Sequence, residues 1–425
     1  MKILYIDHYA GSPSLGMEFR PHLMAQHWAK QGVETTILAG SYSHLRAHNP
    51  EVHYATEVQL IDGVPFMFIP TPKYQGNGAK RVYSMAQFVA SGLRHARQIV
   101  DKTHPDAVIA SSTYPFDTYL GQRIASLAGA RLVHEIHDLW PLTPMELGGM
   151  PKWHPLIAAM AAAEKSAYRN SDAVVSILPN TEPYVRSLGI TTPVIPIPNG
   201  IETTAQPGPA DAATASLVAR LQAQGTKVIG YAGGLALSNA MEDFVAAMAR
   251  LSGEPIAAVV IGDGVSRADL EAAAAREHAD IHFVGSIPKS AVHATLQTMD
   301  ALYIGSRASR LYEYGVSANK IFDYLLTGVP IVNAFATSHS PLTYVGTTIE
   351  ARAEDPEDIA RAIREACTLD ASRRQEIAQR QVAYVREHHD YAGLAQQFLD
   401  VLRPRVADPV PAAGDVAHEG TDDER

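Results

Sequence analysis

The chain has one cysteine, Cys367, in 425 residues. A single thiol excludes a disulfide framework and a cysteine-based metal site, and it predicts a reducing compartment. No stretch approaches the roughly 20 consecutive apolar residues of a membrane-spanning helix. The apolar start is broken at Asp7 and His8, too soon for a secretion signal. Positive charge is in deficit: 35 Lys and Arg against 45 Asp and Glu give a net charge of −10. That balance argues against nucleic acid as the main partner. The patterns G-x-G-x-x-G and G-x-x-x-x-G-K-[ST] are missing after the first strand, so dinucleotide and P-loop readings are not supported. No Asp-x-Asp metal motif is found, and no metal or cofactor is expected.

What is present is 46% hydrophobic content, ample for two domains. Residues 2–7 predict a buried strand. Gly11-Ser-Pro-Ser-Leu-Gly16 follows as a turn-rich loop, then a helix over 17–32 and a strand over 33–39. This βαβ order favours a parallel sheet. Two short strands flank a turn at Asp62-Gly63. A helix is predicted over 82–102, then strands over 107–110, 131–136, 172–177 and 194–198, with helices over 118–128 and 155–169. Residues 201–225, rich in Ala, Pro, Thr and Gln, read as the connection between domains.

The second half repeats the grammar, with strands over 227–231, 257–261, 281–283, 301–304 and 330–333. A glycine turn, Gly233-Gly234, follows the first of them. The expected fold is α/β: two Rossmann-like doubly wound domains facing a cleft, 1–205 and 206–388. A helix over 389–403 is expected to pack back towards the first domain. The acidic stretch 404–425 reads as a disordered tail.

The stretch from Tyr314 to Val332 is the chemical centre. Ser317 is read as an N-cap, with Ala318, Asn319 and Lys320 in the first helical turn. Ile321, Phe322, Leu325 and Leu326 form the apolar face, and Gly328 ends the helix. A helix start with free N–H groups and a lysine suits a phosphate. Asp323, one turn further in, suits ribose hydroxyls. An ordinary capped helix with a solvated polar face would carry the same pattern. Gly11 and Gly16 permit close approach of a ligand to the backbone.

Three motifs carry a resemblance: His8-Tyr-Ala-Gly-Ser-Pro13 with Met17-Glu-Phe-Arg20, His134-Glu-Ile-His-Asp-Leu-Trp-Pro141, and Gly315-Val-Ser-Ala-Asn-Lys-Ile-Phe-Asp-Tyr324. With them the chain resembles a retaining GT4 glycosyltransferase of the two-domain GT-B fold. It is more narrowly similar to the fucosamine transferase-like enzymes of bacterial surface polysaccharide assembly. The resemblance covers the chain to about residue 400. It implies a nucleotide-sugar donor, UDP-linked, on the C-terminal domain, and a saccharide or polyprenyl-linked acceptor on the N-terminal one. It also implies the cytoplasm, with peripheral contact at the inner membrane.

The usual signature of this family is two carboxylates eight positions apart. Asp323 stands at the second position and Gly315 at the first, so the sugar-facing carboxylate is missing. A basic residue after Gly233-Gly234 is also missing, which makes Lys320, beside Asn319 and Ser317, the expected phosphate cation. Arg307 and Arg310 are reserves. His137 is expected at the donor sugar, with Asp138 orienting it or the acceptor. Glu18 and Arg20 are acceptor or diphosphate candidates, and His134 is expected to be structural. Lys73, Lys80, Arg81, Arg94 and Arg97, with Tyr74, Tyr83, Met85 and Phe88 interleaved, suit an interfacial membrane contact. Pro151-Lys-Trp-His-Pro155 is a second such spot. A nucleotide-sugar epimerase of the same fold and a non-catalytic sugar-nucleotide-binding protein are the rival readings.

Overall fold

The computed structural model describes residues 1–16, 19–76, 78–236 and 239–403. The N-terminal sheet has eight strands: β1 (Lys2–Ile6), β2 (Glu34–Gly40), β3 (Glu57–Ile61), β4 (Val64–Ile69), β5 (Ala107–Ala110), β6 (Arg131–Ile136), β7 (Ala173–Ser176) and β8 (Val194–Pro196). Their order is β3-β4-β2-β1-β5-β6-β7-β8. Every neighbouring pair is parallel except the β3–β4 hairpin. Parallel strands are covered on both faces, which is why β5 and β7 are buried at every position, β5 as an unbroken apolar run and β7 as one ending on Ser176.

The C-terminal sheet is all parallel, with β9 (Lys227–Ala232), β10 (Ile256–Ile261), β11 (Ile281–Gly285), β12 (Ala301–Gly305), β13 (Ile331–Ala334) and β14 (Ile349–Glu350). Its order is β11-β10-β9-β12-β13-β14. The loops that follow the C-terminal ends of the strands in the two sheets face each other, those after β6 and β7 against those after β9, β12 and β13.

Three predicted elements change. The connection over 201–225 contains a helix, Ala212–Ala223, whose Val218 and Leu221 enter the C-terminal core. The helix predicted over 82–102 is two helices, Ala79–Arg94 and Ala96–Thr103. They part at His95, where the backbone leaves the helical region and the imidazole meets the Ser91 carbonyl at 2.8 Å. The first helix, Arg20–Ala29, begins later than predicted, with Pro21 in its opening turn.

The helix Tyr391–Leu402 crosses back to the N-terminal domain. Its Leu394, Phe398 and Leu399 share a core with Tyr5, Trp28 and Val133. The Trp28 indole donates to the Ala395 carbonyl at 2.8 Å. The acidic stretch 404–425 lies outside the described residues. No described helix is long and apolar enough to cross a membrane. Three of the four apolar residues assigned to an interfacial face belong to the interior: Tyr74, Met85 and Phe88 are buried, while Tyr83 is exposed. Met85 and Phe88, one turn apart on the helix Ala79–Arg94, pack on the sheet, while Tyr74 is buried in the loop before it. Trp153, in the second spot, is 81% exposed.

Candidate active site

Between the domains lies a cleft of about 400 Å³. One wall follows β6 and β7 and includes His137, Asp138, Leu139 and Leu178. The other includes Tyr312, Ser317, Asn319, Lys320 and Phe335, and Asn199 from the crossover reaches in between.

The C-terminal wall is built on the helix Asn319–Thr327. Ile321, Phe322 and Leu325 bury its apolar face, and the Tyr324 hydroxyl accepts from the Ala232 amide at 2.6 Å. That bond ties the helix to the end of β9. Ser317 is not the N-cap. Ala318 takes that position without a side-chain bond, because the Ser317 hydroxyl accepts from the Asn199 amide at 2.9 Å. The Asn199 side chain donates to the Ser317 carbonyl at 2.9 Å. The hydroxyl thus joins the domains and leaves the first helical amides open to the cleft.

Lys320 is half-buried in the first turn, and Asn319 is exposed beside it. The Lys320 ammonium donates to Asn239 Oδ1 at 2.6 Å and lies 5.1 Å from the Tyr231 ring centre. Among the described residues no carboxylate lies within ion-pair distance of it. Burial pushes its pKa down to about 8. Gly233 sits beneath the lysine stem, and the Gly234 carbonyl accepts from Asn239. Asp323 lies deeper, its carboxylate paired with Lys289, a residue the sequence reading passed over. Arg307 meets Glu242 at 3.6 Å, and Arg310 meets Glu146 of the other domain at 4.0 Å.

Gly315, where the family pattern expects a carboxylate, has φ 94 and ψ −179, a region essentially closed to other residues. A Cβ there would lie 2.5 Å from Pro179 Cγ and 2.6 Å from the His339 carbonyl. The loop is pressed against the N-terminal domain, so no side chain fits at 315.

The N-terminal wall centres on Glu135, fully buried at the end of β6. Its carboxylate accepts from Arg20 Nε at 2.9 Å, Tyr5 OH at 2.5 Å and Ser111 Oγ at 2.6 Å. His137 Nε2 lies 2.7 Å from Ser111 Oγ and 3.2 Å from Glu135 Oε2. With the Ser111 proton directed at Glu135, Nε2 carries the imidazole proton and the ring is held in one orientation. Burial works to raise the Glu135 pKa, but Arg20, His137 and Ser111 hold it well below the usual carboxylate range.

Arg20 is therefore not an acceptor or diphosphate ligand. It is 3% exposed, and its remaining N–H groups donate to the Ile197 and Pro198 carbonyls at 2.8 and 2.7 Å. Asp138 is likewise committed. It accepts from the Leu139 amide, Thr143 Oγ1 at 2.7 Å and the Trp140 indole at 3.3 Å, bonds that shape the loop after β6 where Asp138 lines the cleft. Gly16 has φ 85 and packs on Ala47, and Gly11 is buried in the same loop. Neither lines the cleft. His134 is buried, with its pKa pushed down by burial to about 4. Glu18 lies outside the described residues.

Residues 16–200 match the family described as "Glycosyl transferase 4-like domain", and residues 241–400 match "Glycosyl transferase-like". A 2-deoxystreptamine glucosyltransferase of Streptomyces kanamyceticus is 29% identical over 185 residues, 42% of this chain. The match spans 46% of that relative's length. Among solved structures, sucrose-phosphate synthase of Thermosynechococcus elongatus superposes with a TM-score of 0.72 at 14% identity, over 94% of this chain and 98% of the other. Anabaena HepE in complex with UDP gives 0.65 at 15% identity, over 95% and 99%. These likenesses establish the two-domain GT-B fold.

Proposed function

From the premise that the chain carries two glycosyltransferase-family domains in the GT-B fold, we propose that it is a retaining, metal-independent glycosyltransferase. Its donor is a UDP-linked sugar and its acceptor a saccharide or polyprenyl-linked saccharide of bacterial surface polysaccharide assembly. The observation that carries this reading is Lys320: a cation sunk beside an open helix N-terminus in the cleft, with no carboxylate among the described residues to neutralise it. A diphosphate supplies the missing negative charge.

In this reading the donor diphosphate rests on Lys320 and the amides of the Asn319 turn. The bond between the anomeric carbon and the diphosphate oxygen breaks. The acceptor oxygen attacks on the same face and bonds to that carbon, and its proton passes to the leaving phosphate. Negative charge developing on the diphosphate is stabilised by the lysine and the helix start. The His137 imidazole, fixed through Ser111 and Glu135, hydrogen-bonds a hydroxyl of the donor sugar. Asp323 faces the ribose, displacing Lys289. With no side chain possible at Gly315, the sugar meets backbone groups of the 314–317 loop. Exposed Tyr83 with Lys80, and Trp153 with Lys152, are the surface positions assigned to peripheral membrane contact.

A panel of UDP-sugars and acceptors tests the proposal by following UDP release and product stereochemistry. UDP is expected only when acceptor is added, the new linkage is expected to keep the donor's anomeric configuration, and EDTA is expected to leave turnover intact. An inverted product, or turnover abolished by EDTA, would contradict the mechanism. Tight UDP-sugar binding with no transfer to any acceptor would favour a binding protein.

A further inference from the structure

We propose that Asn239 is a positioning residue for the donor diphosphate: it aims the Lys320 ammonium with a neutral oxygen and leaves the positive charge for the ligand. This inference rests on the donor-site reading above. Asn239 and Lys320 both line the cleft.

The ammonium belongs to a closed ring of hydrogen bonds. It donates to Asn239 Oδ1 at 2.6 Å and to the Tyr231 hydroxyl at 3.4 Å. Asn239 Nδ2 and the Tyr231 hydroxyl each donate to the Gly234 carbonyl at 2.9 Å. That carbonyl fixes both groups. A flipped Asn239 amide would set oxygen against oxygen at Gly234 and N–H against the ammonium, so Oδ1 is held towards Lys320. The Tyr231 proton is committed to Gly234, so its oxygen accepts from the lysine. Burial pushes the Tyr231 pKa well up, and the phenol stays neutral. An ammonium has three N–H groups. Among the described residues two of them meet these neutral oxygens, and the donor-site reading gives the third to the diphosphate.

The backbone beside Asn239 is strained. Ala240, the next residue, is buried with φ 46 and ψ 41, and it opens the helix Met241–Arg250 without a side-chain cap. This left-handed region disfavours a β-carbon, and such residues persist where the surroundings hold them. The chain takes that turn between Asn239, in the cleft, and the helix behind it. The charged groups of the neighbouring elements are matched elsewhere. Asp323, one turn along from Lys320, pairs with Lys289. Glu242 and Asp243, in the first turn after Asn239, interact with Arg307. His137 and Asp138 stand on the opposite wall. Burial is what lowers the Lys320 pKa.

The test is UDP affinity by calorimetry from pH 7 to 9.5 for wild type, Asn239→Asp and Asn239→Ala, with Lys320→Met as the control for the donor site. The titration of UDP itself is common to all four proteins and cancels in the ratios. Asn239→Asp supplies a counter-ion. Its UDP affinity at pH 7 is expected to be at least about tenfold weaker, and its decline at high pH is expected to begin about one pH unit above that of wild type. Asn239→Ala removes the acceptor. Its affinity is expected to be about threefold weaker or more, with the decline beginning below pH 8, because a hydrogen bond to the charged form is lost. Melting temperatures identify a folding defect, which cannot move the two pH profiles in opposite directions. Weaker binding in both variants with neither profile moved would make Asn239 a staple of the loop and overturn the inference. Wild-type affinity in both variants, with Lys320→Met weakened, overturns this inference alone. Wild-type affinity in Lys320→Met overturns it together with the donor-site reading.

Discussion

On the N-terminal wall the buried cation Arg20 has its carboxylate, Glu135, at 2.9 Å. On the C-terminal wall Lys320 has, among the described residues, only the Asn239 amide oxygen and the Tyr231 hydroxyl and ring. The first arrangement is closed: charge is balanced inside the protein, and its product is a fixed orientation for His137. The second is open, because burial of the ammonium is left uncompensated until an anion arrives. A paired buried charge marks architecture, and an unpaired one marks a ligand.

Breaking the closed side is expected to give the largest effect. Arg20→Met leaves Glu135 buried without its cation and is expected to cost about 3–5 kcal/mol of folding stability, read by denaturant unfolding. A change well under 1 kcal/mol would show that Tyr5, Ser111 and His137 suffice to hold the carboxylate. Gly315→Ala comes next. Its backbone region costs a non-glycine residue about 1–3 kcal/mol, and the added Cβ displaces the loop from Pro179 and His339. Loss of stability and weaker donor-sugar binding are expected together. A variant as stable as the parent would mean that the loop moves freely and that a carboxylate is excluded for another reason.

Solution pH sharpens the contrast with the smallest perturbation. Burial lowers the Lys320 pKa to about 8 from an ordinary value of 10.5. Below pH 8 the ammonium is charged and ready for a diphosphate. Above it the free protein loses the proton, so UDP affinity is expected to fall by up to about tenfold per pH unit. Between pH 8 and 10.5 the unfolded chain holds more protons than the folded one, so this group's contribution makes the ligand-free protein more stable as pH rises. UDP affinity that stays flat from pH 7.5 to 9.5 would remove Lys320 from the binding site.

The sheets were legible because parallel strands are short apolar runs bounded by glycine turns. The helix Ala212–Ala223 was not, because Ala, Thr and Gln give it little periodicity; only Thr214, Val218 and Leu221 are buried. Lys320 was legible as a cation at a helix start. The role of Ser317 was not, since local rules favour it as a cap and its partner, Asn199, is 118 residues away. Arg20 and Glu135 are 115 residues apart, and only the fold brings them together. A glutamate at a fully buried position of a strand covered on both faces is the kind of residue that needs a buried partner.

The most direct measurement is UDP affinity and ligand-free melting temperature on the same preparation of Lys320→Met. Removing an uncompensated buried ammonium is expected to leave the melting temperature unchanged or raised. UDP binding is expected to weaken by about ten- to a hundredfold, the value of a charge-assisted contact. An unchanged UDP affinity would contradict the account. So would a large loss of stability in the ligand-free protein, since it would place Lys320 with Arg20 among the residues that hold the fold.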